Sequence, residues 1–521
     1  VKVAWLRNWF ERWVGRPYFM MYDLVLCSSS LACDFVSDAT GKESILFPIA
    51  TDTSMFNENI LPNEEYQCDY CFTGSYWDAK REIIDYLNPN ELDYKFNLYG
   101  ANWEKIEKLA PYHKGFINYN QVPELYSSTK IVIDDANHVT KQWASVNSRV
   151  FDALAIGRLV LTNGSLGNDE IFDGQIPEYH SQEELKEQLI YYMENPDERK
   201  RKIETLKRTV LENHTYEIRA NTFKQILRKF IDKYKIAIKI PAPRWTEVHK
   251  WGDFYLAEGL LKEFTKKGYF IKLQILPEWD DSSDSICDAV IVLRGLSQYT
   301  PKLQHYNIMW NISHPNNVKL KEYELYDHVF IASHKWADTI SSKVNVPVEC
   351  MWQCTDTDRF YPDYSPEYHH ELLFVGNSRK VHRKILKDLL PTEHELAVYG
   401  SDWKRHINKK YIIAEHIDNK ELRKAYSSCD ILLNDHWDDM REKGFVSNRI
   451  FDAIACGTCI ISDDIDGLEE LFNDRVITYH NKNELKGLVD ENLENKKSYD
   501  IEIIEGHTYS DRVEQFIEVL K

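Results

Sequence analysis

Short, continuous apolar runs alternate with longer polar stretches of helical character along most of the chain. The runs at 236–240 (IAIKI), 270–276 (FIKLQIL), 288–294 (DAVIVLR), 306–312 (YNIMWNI) and 328–333 (HVFIAS) follow this rhythm. So do 371–376 (ELLFVG), 394–400 (HELAVYG), 430–435 (DILLND) and 458–463 (TCIISD). Apolar runs without strict alternation predict strands buried on both faces, the pattern of parallel sheets covered by helices in βαβ units. The predicted class is α/β, built of Rossmann-like, doubly wound parallel-sheet domains. Ligands of such domains bind at the carboxyl ends of the strands, so the chemistry is sought in the loops that follow them.

The pattern repeats. Residues 146–157 (VNSRVFDALAIG) return at 446–457 as VSNRIFDAIACG, and 99–103 (YGANW) return at 399–403 as YGSDW. Tyr126-Ser127-Ser128 matches Tyr426-Ser427-Ser428, and His214-Thr215-Tyr216 matches His507-Thr508-Tyr509. A period near 300 residues is far too long for a solenoid and marks two copies of a multi-domain module. The second copy is whole. In the first, VKVAWLRN (1–8) aligns with 307–313, so counterparts of 236–306 are missing. The predicted domains are 1–55 (a partial N-terminal, acceptor-type domain), 56–235 (a first donor-type domain), 236–365 (a second N-terminal domain) and 366–521 (a second donor-type domain). Residues 1–55 then carry an open sheet edge that wants a cover. The start at Val1, without an initiator Met, is read as a cut through a longer polypeptide whose N-terminal region is a partner of this chain.

Composition narrows the function. The chain has 521 residues and a net charge of −19, which argues against a nucleic-acid partner. Its 14 Trp, 31 Tyr and 22 Phe need burial or stacking partners and argue against disorder. No apolar run is long enough for a transmembrane helix. Ten cysteines without a regular framework fit reduced thiols in the cytoplasm, with a peripheral position at the inner membrane face as the variant. Cys68-x-x-Cys71 stands alone, without the second pair or histidines a zinc site needs.

Two loops carry candidate chemistry. Gly376-Asn377-Ser378-Arg379, with Arg383 a turn later, ends a strand and opens a helix. Glycine there admits a ligand to the backbone, while the helix start and the arginines suit a phosphate. Gly74, Ser75 and Arg81 are the first-copy counterparts. The second loop, Ser447-Asn448-Arg449, leads into Phe451-Asp452-Ala453. Asp452 either favours its helix start electrostatically or accepts from a ribose hydroxyl. In the N-terminal domain of the second copy, Asp253 either caps a helix or serves as a general base. His249 and His314 are the other base candidates. Asp435, His436 and Trp437 end the strand of NDHW and suit a sugar face, whereas the first copy has Asp135, Ala136 and Asn137 there. The pairs Asp438-Asp439 and Asp463-Asp464 read as solvated acidic loops, not as metal ligands.

The stretch from Gly444 to Phe472 resembles the C-terminal donor domain of GT-B glycosyltransferases, nearest the group-1-like branch that includes spore-maturation-type enzymes. FVGNSR, YGSDW, NDHW and the terminal HTY fit the same branch, and the resemblance spans both copies. It implies tandem GT-B modules and an inter-domain cleft for transfer. The donor would be a nucleotide-sugar, UDP-, GDP- or dTDP-linked, and the acceptor a glycan, lipid-linked or protein hydroxyl. No cofactor or metal is implied. Gly376, Asn377 and Arg383 would lie near the diphosphate and Asp452 near the ribose; Ser378, Arg379, Tyr399, Asn448 and Arg449 complete the donor-nucleotide set, with Arg379, Arg383 and Arg449 as the local cationic cluster for the diphosphate. Tyr99, Arg149 and Asp152 complete the first-copy set. The first carboxylate of the family's Glu-x7-Glu pair is replaced by Gly444, and by Ala144 in the first copy. The expected function is a glycosyltransferase of bacterial surface polysaccharide or glycoprotein synthesis. The alternatives are a non-catalytic binding module, above all in the first copy, or a nucleotide-sugar epimerase of the same fold.

Overall fold

The computed structural model describes residues 1–495, 499 and 501–520. They form two compact units, Val1–Lys233 and Tyr234–Lys521. In the first unit, strands β1 (Val3–Leu6), β2 (Leu24–Cys27) and β3 (Ser44–Leu46) make a parallel three-stranded sheet in the order β1-β2-β3. Strands β4 (Tyr70–Thr73), β5 (Phe96–Tyr99), β6 (Ile131–Asp134) and β7 (Leu159–Thr162) make a second sheet in the order β5-β4-β6-β7. The small sheet has its own core of Phe10, Phe19, Val25, Ala32 and Val36.

The second unit contains both sheets in full. Strands β8 (Lys235–Lys239), β9 (Phe270–Gln274), β10 (Ala289–Arg294), β11 (Tyr306–Asn311), β12 (His328–Ile331) and β13 (Val348–Cys350) are ordered β13-β12-β11-β10-β8-β9. Strands β14 (Leu372–Val375), β15 (Leu396–Tyr399), β16 (Ile412–Ala414), β17 (Ile431–Asn434), β18 (Ile460–Asp463) and β19 (Ile477–Tyr479) are ordered β16-β15-β14-β17-β18-β19. Every pairing is parallel. The predicted runs become strands. The three-residue edge strands β13, β16 and β19 were invisible in the pattern, because a half-exposed edge needs no continuous apolar run.

The sheets are wound on both faces, as the unbroken apolar runs require. Along β14, Leu372 and Phe374 join a core with Ile385, Leu389, Leu485 and Val489, while Leu373 joins the opposite one with Phe451 and Ile454. These are doubly wound Rossmann-like domains in tandem, and strand order reverses between β8 and β10 and between β14 and β17. Such reversals open crevices at the strand carboxyl ends. The C-terminal helix Tyr509–Leu520 crosses back onto the N-terminal domain, where the Phe516 ring lies 5.3 Å from Phe330, 5.8 Å from Trp310 and 6.1 Å from Phe264. Gly259 permits the crossing, since a Cβ there would meet the Tyr509 ring at 2.6 Å. Its first-unit counterpart, helix Tyr216–Asp232, is tied by Arg219 Nε donating to the Pro48 carbonyl at 2.7 Å.

Candidate functional site

The two domains of the second unit face each other across a cleft of about 350 Å³. Its N-terminal wall is His249, Lys250, Trp251, Gly252 and Tyr255. The opposite wall includes Gly376, Asn377, Arg379, Arg383, Tyr399 and Trp437, and Arg449 and Tyr426 also line it. Loops at the carboxyl ends of β8, β14 and β17 thus converge, as the two strand-order reversals dictate.

The strand-end glycines have a tight steric reason. A Cβ on Gly400 (φ +145°) would sit 2.2 Å from the Gly376 carbonyl oxygen, so the ends of β14 and β15 approach only as glycine. Trp403 Nε1 donates to that same carbonyl at 2.8 Å. In the first unit, a Cβ on Gly100 would sit 2.1 Å from the Gly74 carbonyl oxygen, and Trp103 Nε1 donates to that carbonyl at 2.6 Å. The repeated Tyr-Gly-x-x-Trp stretch therefore builds the strand end. Ser378 is buried in the following turn, where its hydroxyl donates to the Val381 carbonyl at 2.8 Å, and Asn377 Oδ1 accepts from the Ser401 amide at 2.9 Å.

The arginines differ in their freedom. Arg383 Nη2 donates to the Asp435 carbonyl at 2.8 Å and pairs with the Asp435 carboxylate, both side chains being buried. Asp435 Oδ2 also accepts from the Ile385 amide at 3.3 Å, so it occupies the helix start that the sequence offers to a phosphate. Arg81 and Asp135 repeat this pair at 2.7 Å, and Ser75 carbonyl accepts from Arg81 Nη1 at 3.0 Å. Arg379 spans the domains, its Nη1 lying 3.3 Å from His314 Nε2, and burial lowers the His314 pKa. Arg449 gives Nη1 to Asn434 Oδ1 at 2.6 Å and lies 5.4 Å over the Phe374 ring. Its Nε and Nη2 find no acceptor among the described residues. Burial, with Arg383 adding to it, lowers its pKa against the weaker pull of Tyr426, Asp435 and Asp452.

Of the proposed sugar face, only Trp437 reaches the cleft, where Arg383 stacks 4.3 Å from its ring centre. Asp435 and His436 lie beneath it, 2% and 4% exposed. His436 Nδ1 donates to Asp463 at 2.7 Å and Nε2 accepts from the Ser447 amide at 3.0 Å, the bonding of a neutral imidazole. Asp463 is therefore no solvated loop residue. Burial pushes its carboxyl upward, but the His436 hydrogen bond wins and holds it below the usual range.

Asp452 is fixed by the Thr355 hydroxyl at 2.7 Å and by Asn448 Nδ2 at 3.1 Å, and burial raises its pKa to about 7. Asn448 Oδ1 is buried with no partner among the described residues. Asp152 repeats the arrangement with Thr51 at 2.7 Å and is likewise raised to about 7 by burial. Asp253 sits in the first turn of helix Gly252–Lys266, whose N-cap, Trp251, makes no side-chain capping bond. The capping alternative for Asp253 is not what the fold uses. Burial raises its carboxyl to about 6, with Arg379 opposing the shift. Exposed His249 packs edge-on to Phe254 at 5.2 Å. Gly444 turns the chain at φ +75°, with the Asp466 carbonyl 3.1 Å from where a Cβ would lie, and so leaves no room for a carboxylate. Among the described residues, no three His, Cys, Asp or Glu side chains gather as metal ligands, and no helix is long and apolar enough to cross a membrane. Sequence reasoning missed Thr355, Tyr426 and the Asn434 contact to Arg449. For the first, the sequence offers a signal in the return of Thr51-Asp52-Thr53 as Thr355-Asp356-Thr357.

Two Rossmann-like domains joined by a returning C-terminal helix, with strand carboxyl ends facing across a cleft, define a GT-B fold. The glycosyl transferase-like family model matches residues 79–225 and 379–518, more than half of the chain, and the chain belongs to that family. The uncharacterized glycosyltransferase MJ1069 of Methanocaldococcus jannaschii is 24% identical over 253 residues, 44% of this chain and 64% of that protein. The chain thus spans less than two thirds of that relative's length. Among solved structures, sucrose-phosphate synthase from Thermosynechococcus elongatus is 10% identical, covers 55% of this chain and 98% of its own, and superposes with a TM-score of 0.42. The Anabaena Alr3699/HepE structure in complex with UDP and glucose is 11% identical, covers 55% and 99%, and has a TM-score of 0.39.

Proposed function

We propose that the second unit transfers a sugar from a nucleotide-sugar to a hydroxyl of a glycan, glycolipid or glycoprotein. Residues 366–521 hold the donor and 236–365 the acceptor. Within the family, the FVGNSR, YGSDW and NDHW motifs support a spore-maturation-type enzyme, and with it a role in bacterial surface-glycan synthesis. Ten cysteines without a regular framework suit a reducing cytoplasm.

The observation that carries this reading is Arg449, a cation with two donor groups left without protein acceptors on the cleft wall. A diphosphate supplies the missing anion. Asp253, on the facing domain, takes the acceptor's proton. The acceptor oxygen then bonds to the anomeric carbon as that carbon's bond to the diphosphate oxygen breaks, and the nucleotide leaves with the electron pair. Asp452 and Asn448 hold the ribose in this reading. A single displacement of this kind inverts the anomeric configuration.

The test is a thermal-shift and nucleotide-release panel with UDP-, GDP- and dTDP-sugars. One nucleotide class should raise the unfolding temperature of the intact chain, because a ligand of the native state stabilises it. The shift should vanish in Arg449→Gln. A donor shift that survives Arg449→Gln would remove Arg449 from the donor site.

A further inference from the structure

The two copies differ at one atom type beneath the same arginine. Asp134 ends β6 and Asn434 ends β17, the same place in each fold. Both residues bond the hydroxyl of the next strand: Asp134 Oδ2 accepts from Thr162 at 2.8 Å, and Asn434 Nδ2 donates to Ser462 at 2.9 Å. Both also take Nη1 of the arginine, Arg149 or Arg449, at 2.6 Å. The geometry is retained while the charge changes from −1 to 0.

The two guanidinia differ in their other donors as well. Arg149 Nη1 is held by the Asp134 carboxylate, and Nε and Nη2 donate to the Thr73 carbonyl, with Nε at 2.9 Å. Burial is the strongest influence and would lower its pKa, but Asp134, together with Tyr126 and Asp135, turns the net direction upward. Arg449 has a neutral amide in place of the carboxylate, and its direction is downward.

We infer that residue 434 decides whether the strand-end arginine is available to a diphosphate: Asn434 keeps Arg449 open, and Asp134 closes Arg149, so the chain carries one working anion site and one charge-silenced copy. This rests on the donor reading only in taking the nucleotide diphosphate as the natural anion. The selectivity follows from charge. A phosphate beside Arg149 would face a carboxylate bonded to the same guanidinium, whereas beside Arg449 it faces none.

The probes are inorganic pyrophosphate and UDP, titrated calorimetrically into the full chain and into Asn434→Asp and Asn434→Ala. Circular dichroism confirms that each variant is folded. Pyrophosphate should bind the parent at one equivalent. Asn434→Asp should weaken it by roughly tenfold or more, as a new carboxylate pairs with Arg449. Asn434→Ala, which adds no charge, should stay within about threefold of the parent, well under the effect of a full charge. Two equivalents in the parent, no binding in the parent, or equal loss in both variants would overturn the inference. If pyrophosphate follows this pattern while UDP does not bind, the charge switch stands and the nucleotide-sugar reading falls. Should Asn434→Asp fail to fold, parent stoichiometry and Asn434→Ala still decide.

Discussion

The carboxylate of Asp435 lies against the guanidinium of Arg383 beneath the cleft, 1% and 7% exposed respectively. Arg383, a turn beyond the strand-end loop, is therefore committed to the protein. Replacing one partner leaves the other as an uncompensated buried charge. Arg383→Met should cost about 3–5 kcal/mol, and the double variant Arg383→Met/Asp435→Asn should recover much of it. Denaturant unfolding followed in the second unit reads both values. A cost equal in the single and double variants would contradict the pairing.

Asp452 makes stability depend on pH in an unusual direction. Its pKa is about 7 when folded, against an ordinary value of 3.8. The folded state therefore holds the proton more tightly, and its stabilising effect is complete below the unfolded value. That effect is lost as pH rises through about 7. Asp452→Asn should flatten this decline between pH 4 and 8, and Asp152→Asn should do the same in the first unit. Unfolding temperature against pH is the measurement, and parallel curves for parent and variants would exclude the effect.

Steric closeness makes Gly400 intolerant. Gly400→Ala places a Cβ 2.2 Å from the Gly376 carbonyl at a φ of +145° and should destabilise the second unit by about 3 kcal/mol or more. Gly487, inside helix Lys482–Glu494, has open space around it. Gly487→Ala should stabilise by about 0.5–1 kcal/mol, the gain in helix propensity. Denaturation midpoints compare the two, and equal responses would refute the contact.

In its proposed role as base Asp253 acts only when ionised, so turnover should fall as pH drops below its value of about 6. Asp253→Asn should reduce turnover by roughly 10²–10⁴-fold and leave donor binding in place. Nucleotide release with acceptor present reads the first, and the thermal shift reads the second. A variant with parental turnover would remove Asp253 from catalysis.

The sequence by itself determined the strands other than the short edges β13, β16 and β19, their parallel pairing and the tandem repeat, because these follow from local apolar runs and from direct comparison of one copy with another. It also marked Gly376, Arg449, Asp452 and Asp253, since each stands beside a strand end that the pattern locates. Only the tertiary structure decided what those residues are free to do. Trp403 turns its indole to Gly376, Asp435 claims Arg383, and His436 lies under the cleft with Asp463, each through a partner 27 to 52 residues away. Charge compensation is a property of neighbours in space. The Asp134-to-Asn434 change was readable in the repeat, but its meaning depended on the arginine 15 residues along that the fold brings to within 2.6 Å.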